Sequence, residues 1–558
     1  MRASESPLVL RRAVRYHCAA VAPESVNGGA PCDPVARDDQ GFAAYWRAVG
    51  GARLTAGGAA YEERFTGPDA IAQAQRAWRD LRSLLRGDAA AQVRAFCGFA
   101  FAPRTKRDEY WQGWPDGLLV LPEWLAWELP GGERGAVRVT AVRSADEQPW
   151  PPQLQMASPE HLRSQRRADH DGTVAKNARP EPAPGMSVAS ERERPANARA
   201  GPATSGRTRR PDRAEWCAAV AQAAAAVREG RLDKVVLARL EERTAAQPIR
   251  VDLVLRALER DYPDATVFAV RQGGQVFVGA TPERLVALRH GEIAVDCLAG
   301  TARRGTATLG DGGGAFEGGA AGDGTSREAT AGVGTAGDGT SLEPNAGVGT
   351  AADGTSRDGT GARTGVGRMR DADPAAEAAS DEDAARALLA SAKDRVEHDA
   401  VVRGVKADLA DVAHGLETAA QPAILRLKNV LHLYTPVRAQ SRAGVTALTL
   451  LARLHPTAAV AGLPRGAALA AIERWEGMDR GWYAAPIGWV DPDEEGEFVV
   501  ALRSALIEGN RAVLYAGVGI VADSQSDAEW METEWKLAPM RTAVAAAGAA
   551  PAQEALRL

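Results

Sequence analysis

Two segments that are almost devoid of large apolar side chains divide this chain of 558 residues into the parts that can fold. The first segment, residues 158–212, is rich in Arg, Pro, Ala and Ser. The second, residues 305–381, carries a tandem repeat, AGDGTSREATAGVGT followed by AGDGTSLEPNAGVGT. Neither segment can bury enough apolar surface to offset the entropy of ordering it. We therefore expect a disordered basic linker at 158–212 and a Gly-rich insertion without chemistry at 305–381.

The remaining blocks, 1–157 and 213–558, mix strand patterns with helical ones. In the first block, the runs at 95–103 and 116–130 are rich in aromatic and β-forming residues and are bounded by turn signals. In the second block, residues 214–229 are an Ala-rich helix pattern, and no βαβ unit repeats. The pattern predicts an α+β fold with layered β-sheets and helices packed outside, divided into an N-terminal region and a main domain.

Charge and cysteine content argue against several classes of protein. A net charge of −5 is too close to balance for binding nucleic acid through bulk charge. The five cysteines are scattered without a CxxC pair, which disfavours a disulfide framework or a thiolate zinc site. The sequence has neither an apolar run long enough to span a membrane nor a signal-peptide pattern. We expect a cytoplasmic protein without nucleic-acid or membrane partners, monomeric or dimeric.

Three glutamates on helical patterns are candidates for a metal site. Glu397 begins an apolar stripe with a period of four, so its carboxylate should face the core. Glu529, Glu532 and Lys536 share one face of a C-terminal helix. A structural salt bridge and a solvated charged stripe are the simpler interpretations of these two patterns. Carboxylates from two helices would also suit Mg²⁺, which prefers oxygen ligands and an anionic substrate.

Other chemically interesting residues are less distinctive when each is taken alone. By local pattern, Lys234 is a strand-end charge, Glu283 is a turn residue and His432 is a core histidine. Arg503 interrupts an apolar strand pattern, which predicts a buried anionic partner.

Ten motifs occur in an order that resembles one family. In chain order they are KVVLAR, GATPERL, LAGTARRG, KDRVEH, VLHLYTPV, LHPTAAVAG, ERWEGMDRGWYAAPIGW, LRSA, AGVGIVADS and EWMETEWK. This order is similar to that of the chorismate-utilising enzymes, which include isochorismate synthase, salicylate synthase and the large subunits of anthranilate and aminodeoxychorismate synthase. The resemblance covers about residues 213–545, and residues 1–157 resemble the leading region of isochorismate synthases. The repeat falls where the family has a short connection, which supports an insertion.

The resemblance implies roles for individual residues. Lys234 would be the general base that activates water, and Glu283 the general acid that protonates the departing hydroxyl. Glu397 and Glu532 would ligate Mg²⁺, with Glu529 nearby through water. The residues expected to bind the substrate, chorismate, are Thr301, His432, Ala459, Tyr483, Arg503, Gly517, Gly519 and Lys536.

Two positions bear on which reaction the resemblance implies. Amine-forming members typically carry Gln where this chain has Lys234, so Lys234 favours water as the nucleophile. Salicylate synthases tend to have Thr where this chain has Ala459, so Ala459 favours stopping at isochorismate. We therefore expect a Mg²⁺-dependent isomerase, an isochorismate synthase of menaquinone or siderophore biosynthesis. A salicylate synthase, component I of anthranilate or aminodeoxychorismate synthase, and a non-catalytic regulatory or scaffold homologue remain the alternatives.

Overall fold

The computed structural model describes most of the two blocks that the sequence predicts to fold. The described residues are 14–23, 25, 41–104, 107–143, 208–304 and 374–549. Met1–Arg304 and Asp381–Leu558 belong to one compact unit, and Gly305–Ser380 to a second. The tandem repeat and most of the predicted linker lie outside the described residues.

The first unit contains two large β-sheets within its described residues. The larger sheet has, in spatial order, β10 (Thr208–Arg210), β11 (Lys234–Thr244), β23 (Arg511–Ile520), β22 (Ser504–Glu508), β13 (Gln275–Thr281), β12 (Thr266–Gln272), β2 (Ala43–Arg47), β3 (Arg53–Gly57), β8 (Trp124–Glu128), β9 (Arg134–Arg143), β1 (Val14–Val21) and β5 (Leu85–Arg86), with β19 (Gly462–Leu463) beside β11. The smaller sheet has β16 (Ala413–Thr418), β18 (Val430–Ser441), β15 (Glu292–Arg303), β14 (Arg284–Arg289), β21 (Gly496–Val500), β20 (Pro486–Val490), β6 (Ala95–Phe99), β7 (Gly117–Leu121) and β4 (Tyr61–Phe65), with β17 (Ala423–Arg426) beside β18. Neighbouring strands are antiparallel, except that β1 and β5 run parallel.

Helices accompany the sheets, which confirms the predicted α+β fold. They are α1 (Ala70–Arg82), α2 (Arg213–Arg228), α3 (Val251–Asp261), α4 (Pro374–Ala390), α5 (Ala392–Leu409), α6 (Ala447–Leu454), α7 (Arg465–Glu476) and α8 (Ser526–Ala547), with a 3₁₀ turn at Ala90–Gln92. The predicted Ala-rich helix is α2, which begins with a capping box between Asp212 and Glu215. The apolar stripe predicted after Glu397 is buried along α5.

The sequence regions before and after the linker share both sheets. In the larger sheet β2 pairs with β12, where Trp46 lies opposite Phe268. In the smaller sheet β6 pairs with β20, where Phe96 lies opposite Trp489. Because these hydrogen-bonded strands come from both regions, the predicted boundary at residue 157 does not separate two sheets.

The described edges of the two low-complexity segments are more ordered than the sequence predicts. The linker was expected to reach residue 212, but β10 pairs with β11 and Asp212 caps α2. The insertion was expected to reach residue 381, but α4 begins at Pro374. The reason is local: β10 completes a sheet edge, and the Ala-rich sequence after Pro374 has high helix propensity.

The sequence predicts neither a disulfide framework nor a membrane-spanning helix, and the structure bears on both features. The four described cysteines, Cys18, Cys97, Cys217 and Cys297, are free thiols. None of the helices in the described part of the chain is long and apolar enough to cross a membrane.

Candidate active site

A cavity of about 70 Å³ collects most of the residues that the sequence singled out. The predicted site residues that line it are Glu283, Thr301, Glu397, His432, Ala459, Tyr483, Arg503, Gly517, Gly519 and Lys536. Lys234, Glu529 and Glu532 are not part of this lining, and they join the site through the ion pairs described below.

The larger sheet provides one part of the site. Lys234 is the first residue of β11, and Gly517 and Gly519 lie on the adjacent strand β23. Glu283 lies in the turn between β13 and β14, where the chain passes from the larger sheet to the smaller one. The site residues of these strands therefore have positions fixed by backbone hydrogen bonds of the sheet.

The smaller sheet and two helices provide the rest of the site. Thr301 on β15 lies directly opposite His432 on β18. Glu397 projects from α5, while Glu529 and Glu532 project from α8 one turn apart.

Lys234 and Glu397 form a buried ion pair that depends on a glycine. Their Nζ and Oε1 atoms are 3.0 Å apart, and the Lys234 side chain is only 1% exposed. A Cβ atom on Gly519 would lie 2.0 Å from the Glu397 carboxylate oxygen and 2.7 Å from Cε of Lys234. A side chain at position 519 would therefore force this pair apart. This steric limit explains why the position in AGVGIV is a glycine.

The predicted metal ligands on α8 are also paired with lysines. Nζ of Lys536 is 2.7 Å from Glu532, and Nζ of Lys393 is 2.5 Å from Glu529. Burial and the nearby charge of Glu532 raise the pKa of Glu529 to about 7, although Lys393 opposes the shift. For Glu532, burial is outweighed by Lys536 and by a hydrogen bond from Thr301, so its pKa is lowered.

Glu397, Glu529 and Glu532 are called the acidic end here, and their carboxylates are the type of ligand that a hard divalent cation prefers. Glu397, Glu529 and Glu532 offer carboxylate oxygens, and the unfavourable proximity of Glu529 and Glu532 is the kind that a cation relieves. No three His, Cys, Asp or Glu side chains of the described residues already form a metal-binding cluster. The ion pairs explain why these three carboxylates do not cluster, because each is held by a separate lysine.

The sequence analysis missed two neighbours of these carboxylates, both in KDRVEH. Asp394 lies one turn before Glu397 on α5, and its spacing of three residues was a signal that could have revealed it. Burial raises the pKa of Asp394, with added effects from Glu397 and Glu532. Lys393, by contrast, had no sequence signal, because its contact with Glu529 joins two distant helices.

A second part of the cavity lining, called the basic end here, contains a hydrogen-bonded pair of Arg503 and His432. The guanidinium of Arg503 donates to Nε2 of His432 at 2.9 Å, so this nitrogen must be the acceptor. His432 therefore carries its proton on Nδ1, which lies 3.0 Å from the carbonyl oxygen of Gly300. Burial and the charges of Arg503 and Lys536 lower the pKa of His432 to about 3, so the ring is neutral.

The structure corrects the prediction for Arg503. The residue lies between β21 and β22 rather than within a strand, with a left-handed backbone (φ 48°). No carboxylate of the described residues forms an ion pair with it, and its side-chain hydrogen-bond partner is neutral His432. Burial lowers the pKa of Arg503. A desolvated guanidinium without an anion is a favourable site for the carboxylate of a ligand.

Tyr483 and Lys536 complete the walls of the basic end. The Tyr483 ring stacks on Tyr515, with centroids 5.1 Å apart and planes 17° apart. Tyr515, which also lines the cavity, was not predicted from the sequence. Nζ of Lys536 donates to the carbonyl oxygen of Gly517 at 2.9 Å, and thus connects α8 to the larger sheet.

Glu283 has the properties of a carboxyl group that stays protonated. It is 4% exposed, and burial raises its pKa to about 8, with Lys234 lowering the pKa and Asp296 raising it. At neutral pH the side chain is therefore a neutral hydrogen-bond and proton donor inside the cavity.

Two layered sheets that enclose an acidic and a basic end define a chorismate-utilising enzyme fold. Residues 43–542 match the family model described as chorismate binding enzyme, and the chain belongs to that family. It is 34% identical over 495 residues to the salicylate biosynthesis isochorismate synthase of Pseudomonas aeruginosa, covering 88% of this chain and 82% of the relative.

Two further comparisons extend this likeness. The chain is 33% identical over 333 residues to the isochorismate synthase MenF of Bacillus subtilis, covering 60% of this chain but only 56% of that relative. The structure of the menaquinone-specific isochorismate synthase MenF from Escherichia coli superposes with a TM-score of 0.60 at 24% identity, covering 95% of this chain and 94% of that chain. At this identity the structural match supports the fold alone.

Proposed function

We propose that this protein is an isochorismate synthase, an isomerase that converts chorismate into isochorismate. The observation that carries the proposal is a buried, protonated carboxyl group, Glu283, that lines a cavity with one basic end and one acidic end, together with buried Lys234, whose charge acts on the pKa of Glu283. Moving a hydroxyl group between two ring carbons requires a base, an acid and anchors for a dianion.

The basic end would anchor the substrate. Chorismate carries two carboxylates, and Arg503 is a buried guanidinium that lacks an anionic partner among the described residues. A planar guanidinium binds a carboxylate through two parallel hydrogen bonds. Neutral His432 accepts one Arg503 hydrogen and leaves the remaining donors for the ligand, while Tyr483 lines the same wall.

Lys234 would act as the base and Glu283 as the acid in moving the hydroxyl group from C4 to C2. Lys234, in its neutral form, accepts a proton from water as the water oxygen forms a bond to C2 of the ring. Both ring double bonds shift, from C1=C2 to C1=C6 and from C5=C6 to C4=C5, the bond from C4 to its hydroxyl oxygen breaks, and Glu283 donates its proton so that water departs. One water is consumed and one released, Lys234 gains a proton and Glu283 loses one, and the pair must exchange these protons with solvent before the next turnover.

Glu397, Glu529 and Glu532 would hold Mg²⁺ in this proposal. When bound, the ion supplies positive charge that binds and orients an anionic substrate. Both Glu397 and Glu532 are currently paired with lysines that the proposed chemistry uses, so metal binding would also free Lys234 and Lys536.

The product formed from chorismate and Mg²⁺ tests the proposal. We expect purified protein to form isochorismate, and Lys234→Ala and Glu283→Gln each to abolish turnover while retaining the fold. Salicylate with pyruvate, or anthranilate formed only with ammonia, would contradict it. Absence of any product would favour the non-catalytic alternative.

Ala459 gives a finer test of where the reaction stops. Ala459 lines the cavity. We expect a hydroxyl group introduced there to change whether bound isochorismate is released or loses pyruvate. We expect wild-type protein to accumulate isochorismate and Ala459→Thr to release more salicylate and pyruvate. Menaquinone and siderophore biosynthesis both remain candidate pathways, in the cytoplasm, and the genes adjacent to this one would discriminate between them.

A further inference from the structure

Three lysines hold the three predicted metal ligands, and only one of these lysines has no place in the proposed chemistry. Lys234 pairs with Glu397 as the predicted base, and Lys536 pairs with Glu532 beside the substrate. The third, Lys393, pairs with Glu529 at 2.5 Å.

Lys393 contacts the acidic end through its ion pair with Glu529. Its ion-pair partner Glu529 is 1% exposed, whereas the Lys393 side chain is 28% exposed and therefore has a route to solvent.

We propose that Lys393 is a tethered counter-cation that occupies the acidic end in the metal-free protein and competes with Mg²⁺ for Glu529. This inference rests on the proposed metal site. Two cations held close to the same carboxylate repel each other, so Mg²⁺ would compete with the ammonium group for Glu529. The pairing costs metal affinity, but it keeps buried Glu529 compensated when no metal is bound.

The test is titration of MgCl₂ into chorismate-free, full-length protein at pH 8 by calorimetry. Lys393→Gln removes the competing charge, and we expect it to bind Mg²⁺ about five- to tenfold more tightly than wild type. The matched control is Lys406→Gln, which removes the same charge from an exposed position of the same helix. The control should bind Mg²⁺ as wild type does.

A second pair of variants keeps the inference testable if Lys393→Gln does not fold. Lys393→Met retains the unbranched stem without the charge and should also bind more tightly, whereas Lys393→Arg retains a cation and should not. Unchanged or weaker Mg²⁺ affinity in the neutral variants would overturn the inference, as would an absence of Mg²⁺ binding in every variant and wild type. Because no chorismate is present, a wrong reaction assignment shows in the product assay and not in this titration.

Discussion

The acidic and basic ends of the cavity achieve electrostatic balance in opposite ways. At the acidic end, Glu397, Glu529 and Glu532 each have a lysine within 3.0 Å. At the basic end, Arg503 is buried beside a neutral histidine and has no carboxylate partner in the described part of the chain. Within the described residues, each of these carboxylates thus has a cationic partner, whereas Arg503 has no anionic one.

The first test of this difference is Glu532→Gln, which should have the largest effect. Removing one carboxylate from the acidic end should weaken Mg²⁺ binding at least tenfold and reduce turnover about 100- to 1,000-fold. Calorimetry with Mg²⁺ and a chorismate turnover assay measure the two effects. Asp527→Asn, at an exposed position of the same helix, is the control and should change neither. A Glu532→Gln variant with near-normal turnover would show that the acidic end does not serve a metal.

Replacing Arg503 tests the basic end by itself. Arg503→Lys retains the charge but loses the planar pair of donors, so we expect kcat/KM for chorismate to fall about 100-fold. Mg²⁺ affinity measured without chorismate should stay at the wild-type value. The control is Arg511→Lys, at the start of β23, where the guanidinium pairs with Glu242 near the surface. A parallel loss of Mg²⁺ affinity would mean that the two ends are not independent.

The pH profile reports on Glu283, which belongs to neither end. Burial raises the pKa of Glu283 to about 8, and only the protonated acid can donate to the departing hydroxyl. With Lys234 in the neutral form that the mechanism requires, kcat/KM therefore falls about tenfold per pH unit beyond pH 8, as the protonated fraction of Glu283 declines. Initial rates between pH 6 and 10, at saturating Mg²⁺, measure this decline. A profile that is flat up to pH 10 would remove Glu283 from the role of acid.

Local sequence signals predicted helices and strands better than they predicted partners. The helix at 214–229 was predictable because alanine propensity and the Asp212 capping box act within a few residues, and it is observed at Arg213–Arg228. The apolar stripe after Glu397 was predictable from its period of four. The sharing of both sheets by residues before and after the linker was not predictable, because it depends on pairings such as β2 with β12 over a long stretch of chain.

The same limit applies to the candidate site. The order of the motifs identified the candidate site residues, and most of them line one cavity. The ion pair between Lys234 and Glu397, however, depends on Gly519 having no side chain in a third element, which no spacing rule encodes. The predicted anion for Arg503 is not a carboxylate of the described residues, for a related reason: sequence indicates that a charge is buried but not whether its counter-ion belongs to the protein.

Thr301 has hydrogen bonds toward both ends, and its replacement should have the smallest effect. Its hydroxyl group donates to Glu532 and lies 3.3 Å from Nδ1 of His432. Thr301→Val removes these bonds without a large change in volume, so we expect about a fivefold loss in both Mg²⁺ affinity and kcat/KM. Thr244→Val, at the exposed end of β11, is the matched control. A loss confined to one of the two measurements would show that the acidic and basic ends are not coupled through Thr301.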